Sequence, residues 1–416
     1  MGRLGTFVKV LLVLLLLYGA QAGVQGLDDD GVGFTEELSE GGTSPFNNDT
    51  DGDGLTDDVE IYSSSNPTLV DTDDDGVDDK AELRIGTNET VADTDEDGLT
   101  DADELTCSAD PTVSDTDDDG LIDAQEQQLR MNPASNDTDN DGLNDSNERR
   151  GESNPRERDT DGDALLDGRE ASIGTNLTNL DTDGDGLSDG HEVKARGSVG
   201  DGDPLRKDIF LEISYDSRSD SLSSSQERNL ERAFADAPVS NPDGSSGISL
   251  HVRADSEPSD VPSSVSSDEY WGTSGVNEQT FDEKGKGFYH VLIVEDIGNR
   301  REEAVGISKF DSAMVEEDSG GRHNAGSTTM HELGHMLGIL QGDFQGIDSR
   351  EVSYYEYASI MNYNSPTGTY RYSSTGGASS HDDWEAIEKN QDAPPVDNIS
   401  VDAPPDVEWE PEECSA

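Results

Sequence analysis

The chain has 416 residues, 94 Asp and Glu against 27 Lys and Arg, a formal net charge of −67 and only 30% apolar residues. A polyanion of this density is repelled by nucleic acid and by anionic membrane surfaces, so bound cations are the expected counterpart of its carboxylates. The excess is not confined to one segment: residues 205–416 alone hold 41 acidic and 15 basic side chains, a surface kept soluble by carboxylates where concentrated salt screens their repulsion.

The segment 1–22 places Arg3 and Lys9 ahead of an apolar run from Val10 to Leu17, then Ala20 and Ala22 two apart. This is the grammar of a secretory signal, and the run is too short for the roughly 20 residues of a membrane span. A mature chain starting near Gly23, without a transmembrane segment, is expected outside the cell or at its surface. An acidic linker over 23–48 follows. Cys107 and Cys414 match neither a disulfide framework nor a metal-binding spacing.

From Asp49 to Glu192 the pattern DxDxDGxxDxxE recurs seven times at a constant interval, its copies beginning at Asp49, Asp71, Asp93, Asp115, Asp137, Asp159 and Asp181. Acids at loop positions 1, 3, 5, 9 and 12 are spaced as a short loop needs to surround Ca²⁺ with oxygen, and Gly at position 6 permits the sharp turn. The predicted calcium ligands are Asp49, Asp51, Asp53, Asp57 and Glu60 in the first copy; Asp71, Asp73, Asp75, Asp79 and Glu82 in the second; and Asp93, Asp95, Asp97, Asp101 and Glu104 in the third. Asp115, Asp117, Asp119, Asp123 and Glu126 serve the fourth, and Asp137, Asp139, Asp141, Asp145 and Glu148 the fifth. The sixth uses Asp159, Asp161, Asp163, Asp167 and Glu170, and the seventh Asp181, Asp183, Asp185, Asp189 and Glu192. The short stretch between one Glu and the next Asp leaves no room for the two helices of an EF-hand. Each copy offers one Leu or Val at position 7 and, in the first six, an Asn or Asp at position 18 suited to a turn. With so thin an apolar core, the metal must supply much of the folding free energy. Ala164 replaces the position-6 glycine of the sixth copy, which should therefore be the weakest site. These loops resemble thrombospondin type 3 repeats, and the resemblance implies calcium-stacked turns forming a stiff spacer with little regular secondary structure.

After a linker over 193–204 the pattern changes. KDIFLEISY, GISLHVRA, GFYHVLIVED and AVGISKF read as strands, SSSQERNLERAFADA as a helix, and STTMHELGHMLGIL as a second helix entered through Ser327 or Thr328. A mixed α/β (α+β) domain over 205–391 is expected, closed by a helix in HDDWEAIEKN that packs Trp384, with a disordered acidic, Pro-rich tail over 392–416.

His331 and His335 are four apart, so their imidazoles leave one helix face and can share a zinc ion. Glu332, on the neighbouring face, can take a proton from an activated water. Gly338 can adopt φ > 0 and turn the chain back toward the metal. HExxHxxG together with SIMNY at 359–363 resembles the metzincin superfamily of zinc endopeptidases. The resemblance implies a mixed-sheet catalytic domain with an active-site helix, Met361 as an apolar floor beneath one catalytic zinc, and Tyr363 reaching the metal or the oxyanion. It also implies an extended peptide or protein substrate laid along an edge strand near 304–310.

Gln341 departs from that pattern at the position of the third histidine ligand, because an amide oxygen is a poor zinc ligand. Asp343 is the preferred replacement, with Asp348 and His381 as alternatives; the Met-turn argues against Glu356 or Glu385. The expected function is therefore that of a secreted, halophilic, haloarchaeal zinc endopeptidase carried on calcium repeats. The competing reading, for which Gln341 argues, is a calcium-dependent surface or adhesion protein with an inactive peptidase domain.

Overall fold

The computed structural model describes residues 42–195, 202–216, 222–257, 264–272, 275–298, 306–317, 324–340, 347–348, 359–361, 369–374 and 381–390, with 28, 31–33 and 365. The chain divides into two compact units, Met1–Arg158 with Asp406–Ala416, and Asp159–Pro405, so the sixth and seventh repeats are grouped with the sheet domain. The expected signal segment and C-terminal tail lie outside the described residues. Among those described, no helix is long and apolar enough to cross a membrane.

In the first unit each repeat is a loop followed by one short helix: α1 (Asp57–Ser63), α2 (Asp79–Ile85), α3 (Asp101–Cys107), α4 (Asp123–Leu129) and α5 (Asp145–Gly151). Two helical turns are what the repeat length accommodates. Every helix starts at loop position 9 and ends where the next residue turns left-handed, as Ser64 does at φ 81° and Arg130 at φ 60°. The chain then tightens through the expected Asx turn, with Thr68 N–H donating to Asn66 Oδ1 at 3.2 Å. Helices this short are not stable alone. Val77, Leu99 and Leu121 are buried as the apolar anchors of their repeats. Cys107 is disulfide-bonded; Cys414, the second cysteine of the chain, lies outside the described residues.

The second unit opens with two further repeats, carrying α6 (Asp167–Ile173) and α7 (Asp189–Ala195). Its sheet has the order β2-β1-β4-β7-β6, where β1 is Asp208–Asp216, β2 Ser249–Glu257, β4 Phe288–Val294, β6 Gly306–Lys309 and β7 Ser312–Glu316. All neighbours are parallel except β6, which runs antiparallel to β7 at the edge. A small parallel pair, β3 (Ser264–Ser266) and β5 (Asp296–Gly298), stands apart. The mixed α/β architecture agrees with the expectation from the sequence, and the structure adds that the sheet is mostly parallel.

β4 is buried along its whole length, as a central parallel strand covered on both faces must be. Tyr289, Val291 and Ile293 enter the main core, while Leu292 and Val294 enter a second cluster with Tyr270 and Met314. The main core is capped by α8 (Ser224–Ala235), which begins with a Ser223–Gln226 capping box and buries Leu230 and Phe234. Phe234 meets Tyr372 and Trp384 edge-on at 5.8 and 5.5 Å. Trp384 belongs to α12 (Asp383–Asn390), the expected closing helix. Two short helices, α9 (Ser267–Tyr270) and α10 (Val276–Thr280), complete the described elements together with α11 (Ala325–Met336).

Two details differ from expectation. The expected start of the active-site helix at Ser327 or Thr328 is corrected to Asn324, whose side chain accepts from Ser327 N–H in a capping box, so Ser327 sits inside the first turn. SAMVE, read as no element, forms β7; a short stretch with mixed polarity carries no period of its own and gains its identity from lying between β4 and β6.

Candidate metal centres

α11 packs against β6, β7 and α8, presenting His331 and His335 one turn apart with ring centroids 5.0 Å from each other. Both rings are fixed from behind. His331 Nδ1 lies 3.0 Å from the Ile360 carbonyl and His335 Nδ1 2.7 Å from that of Ile339. Donation from each Nδ1–H makes Nε2 the ligating atom of both rings. Gly338, at φ 93°, makes the second of these contacts possible by folding the chain so that Ile339 meets the helix it has just left. The left-handed turn expected at Gly338 thus orients a histidine.

The carboxylate brought to these nitrogens is that of Asp348. Its Oδ1 lies 2.9 Å from His331 Nε2 and 3.2 Å from His335 Nε2, and the three side chains form a group able to hold a metal ion. Burial alone would raise the Asp348 carboxyl; hydrogen bonds from the two imidazoles outweigh it and hold the group well below the usual range. Burial would likewise lower His335, but the hydrogen bond and charge of Asp348, with Glu332, push it up to about 9. In the metal-free state a proton therefore occupies the place of a cation. Tetrahedral coordination with bonds of about 2.05 Å separates two ligand atoms by roughly 3.3 Å, so the observed spacings need only a small expansion. Two imidazole nitrogens and a carboxylate oxygen fit zinc.

Residues 360 and 361 support both sides of this group. Besides the bond from His331 to Ile360, Asp348 N–H donates to the Met361 carbonyl at 2.9 Å. Met361 is fully buried against α11 at Gly334, where an added β-carbon would stand 2.7 Å from its sulfur. Glu332, 6% exposed, extends along β6; a β-carbon on Gly306 would come within 2.5 Å of its Oε1. A cleft of about 410 Å³ lies over the group, bordered by Gly306 to Phe310, Glu332 and Leu340.

Gln341, Asp343, Glu356 and Tyr363 lie outside the described residues. Of the other candidates, His381 is paired with Asp383 at 3.3 Å and Glu385 with Lys389, and neither joins the group. The supporting carbonyls of Ile339 and Ile360 carry no sequence signal, because any residue supplies one.

The repeat loops form a second kind of centre. Asp49, Asp51 and Asp53, and their counterparts in the next three copies, bring carboxylate oxygens within 4.8 Å of one another. The position-12 acids Glu60, Glu82, Glu104 and Glu126 are fully buried, and both oxygens of Glu60, Glu104 and Glu126 have no hydrogen-bond partner. Burial, then the surrounding aspartates, push Glu60, Glu82 and Glu104 up to about 8 and Glu126 to about 9. Orphaned oxygens in a ring of like charges fit a divalent cation with a preference for oxygen.

Position 9 has a role the spacing alone did not show. Thr72, at position 2, donates its N–H to Asp79 Oδ1 at 2.8 Å and its hydroxyl to Oδ2 at 2.7 Å, and each described copy repeats this clamp. Asp79 also raises Glu60 and Asp51 of the preceding copy, so one repeat's carboxylate faces the loop before it. Position 5 links the copies too: Asp53 Oδ2 accepts from Lys80 N–H, Asp75 from Ala102, Asp97 from Ala124 and Asp119 from Ser146, at 2.8 to 3.3 Å. The Thr present at position 2 of every copy was the available signal. Ala164 adopts φ 80° in the place its neighbours give to glycine, a left-handed conformation that its β-carbon disfavours.

Residues 49–69, 71–88, 93–113, 137–155, 159–176 and 181–198 match the bacterial TSP3 repeat. The N-terminal array is thus made of calcium-binding repeats of the TSP3 type. No curated protein sequence matches the chain significantly. Among solved structures, the fold is similar to one described as a chaperone–substrate complex, at 14% identity and TM-score 0.32 over 45% of this chain and 38% of that one. It is also similar to metalloproteinase-II from Bacteroides fragilis, at 12% identity and TM-score 0.30 over 45% of this chain and 54% of that one. The matched region therefore spans about two fifths to a half of those chains.

Proposed function

We propose that the chain is a secreted, salt-adapted, zinc-dependent endopeptidase of metzincin type, carried on calcium-binding repeats and acting on peptides or proteins. The observation that carries this reading is the convergence of Asp348 Oδ1 on the Nε2 atoms of His331 and His335, with both Nδ1 atoms already committed to backbone carbonyls. His331, His335 and Asp348 would hold the zinc ion, which when bound would supply a Lewis acid and lower the pKa of the attacking water to roughly 7. Glu332 takes the proton from that water and hands it to the leaving amine. Tyr363 supplies a phenol to the developing oxyanion. β6 borders the cleft at the sheet edge and pairs antiparallel with β7 on one side, and among the described residues no strand pairs with its other side, where an extended peptide would add. The acidic surface and the signal-like segment 1–22 support salt adaptation and secretion.

The test is zinc content per chain in concentrated salt with calcium, for the parent, Asp348→Ala and Asp343→Ala. The parent should hold about one zinc, lost in Asp348→Ala and kept in Asp343→Ala. Glu332→Ala should retain zinc while losing proteolysis. A parent without zinc would overturn the enzyme reading in favour of the adhesion reading. Because a proton on His335 competes with the metal, zinc affinity should rise with pH until about 9, where that proton is lost.

A further inference from the structure

The seventh repeat has no eighth to follow it, yet its loop is not left open. Asp185, at position 5, accepts at Oδ2 from Asp208 N–H at 2.6 Å, where earlier copies accept from the helix of the next repeat. Asp208 is the first residue of β1. Lys207 Nζ donates to the Asp183 and Gly184 carbonyls, as Lys80 Nζ does to that of Gly54 in the first copy. The Asp208 carboxylate is itself clamped, with Oδ2 taking Asp203 N–H at 2.8 Å and Oδ1 lying 2.6 Å from His251 Nε2 on β2. This is the arrangement of a position-9 aspartate held by its threonine, with a backbone N–H on one oxygen and a side-chain donor on the other.

An independent observation points to a ligand. Glu192, 1% exposed, has both carboxylate oxygens buried without a partner, and Asp183 Oδ2 beside it is also unpartnered. Gly202 lets the chain pass so close that an added β-carbon would stand 3.0 Å from Glu192 Oε1. Leu187, the apolar anchor of the seventh repeat, is buried with Phe210, Phe281 and Phe288 of the sheet domain.

The geometry points to a junction calcium site in which Asp208 of β1 stands in for the missing eighth repeat, so that one Ca²⁺ is held jointly by the seventh loop and the sheet. This rests on the calcium reading of the array. Its consequence is that calcium stabilises the peptidase-like domain as well as the repeats, because the ion ties down the strand that pairs with both β2 and β4.

Trp271 and Trp384 belong to the sheet domain, whereas Trp409 falls in the segment grouped with the first unit, so tryptophan fluorescence of the full chain reports the sheet side once Trp409→Phe is made the background of every protein in the test. CaCl₂ is titrated into chelated full-length protein in concentrated salt, and thermal unfolding is followed by tryptophan emission while bound calcium is counted by equilibrium dialysis. The parent should melt higher as calcium rises. Asp208→Asn, which keeps the clamp but removes the charge, should shift the calcium midpoint of that rise upward by about tenfold. Glu192→Gln should do the same from the repeat side and carries the test if Asp208→Asn does not fold, whereas Glu60→Gln in the first loop should leave the tryptophan transition unmoved. A parent that binds calcium but melts independently of it would overturn the junction site alone, as would an Asp208→Asn protein titrating like the parent. A chain that binds no calcium would overturn the reading of the array and this inference with it.

Discussion

The two regions of this molecule solve the same problem with opposite materials. In the sheet domain, the interior on both faces of β4 is mainly Ile, Leu, Val and aromatic side chains, and a buried carboxylate such as Glu212 is satisfied there by backbone N–H donors. In the repeats, each copy buries an Asp and a Glu almost completely, and the apolar contribution is small, a Leu or Val at position 7 with an occasional neighbour such as Met131. A hydrophobic core is stable by removing apolar surface from water; a carboxylate core is stable only while something neutralises it. Folding of the first should depend on packing, and of the second on an ion.

The largest effect should follow from removing that ion. In EGTA, residues 49–192 should unfold and become protease-sensitive, and resistance equal to that of the calcium-loaded protein would erase the distinction between the regions. The converse perturbation is Phe234→Ala, which empties the space between Tyr372 and Trp384. It should destabilise the sheet domain by about 3–5 kcal/mol in denaturant titrations read by tryptophan emission, while calcium stoichiometry of the array stays at the parent value.

A subtler contrast lies in pH. Glu60, Glu82 and Glu104 are raised to about 8 in the metal-free fold, far above their unfolded values. A group whose folded pKa is raised stabilises the fold below its unfolded pKa and ceases to do so as pH climbs through the folded one. Chelated array should therefore hold most helix near pH 4 and lose it between about pH 4.5 and 8, whereas calcium-loaded array should show the reverse trend. Circular dichroism at both ends of that window decides it. The smallest effect concerns Ala164, whose φ of 80° strains its β-carbon. Ala164→Gly should stabilise the sixth repeat by about 1 kcal/mol, seen as tighter calcium binding there; weaker binding would mean that the backbone is not what limits this site.

Legibility in the sequence followed the same divide. The repeat loops could be read residue by residue because a metal loop fixes residue type and spacing together, and the bacterial TSP3 matches fall on six of the copies. What that spacing concealed was sharing across repeats, since Asp57-type carboxylates look like ordinary loop ligands until Thr at position 2 and the neighbouring Glu are seen around them. In the sheet domain, strands with a strong apolar run, such as FYHVLIV, were visible, and SAMVE was not. His331, Glu332 and His335 announce themselves by helical spacing. Asp348 does not, because its approach depends on a turn through Gly338 and on a hydrogen bond to Met361, neither of which has a fixed distance along the chain.

The reach of the position-5 aspartate into the next helix, repeated from Asp53 through Asp119, carries a consequence for how such a chain can change length. Inserting a single residue in any copy breaks its own loop and the grip of the copy before it, so two sites fail together. Deleting or duplicating one whole repeat leaves every donor opposite an acceptor of the same kind. Length in the array is therefore quantised: recombination in whole repeats is nearly silent for folding, and drift by single residues is not.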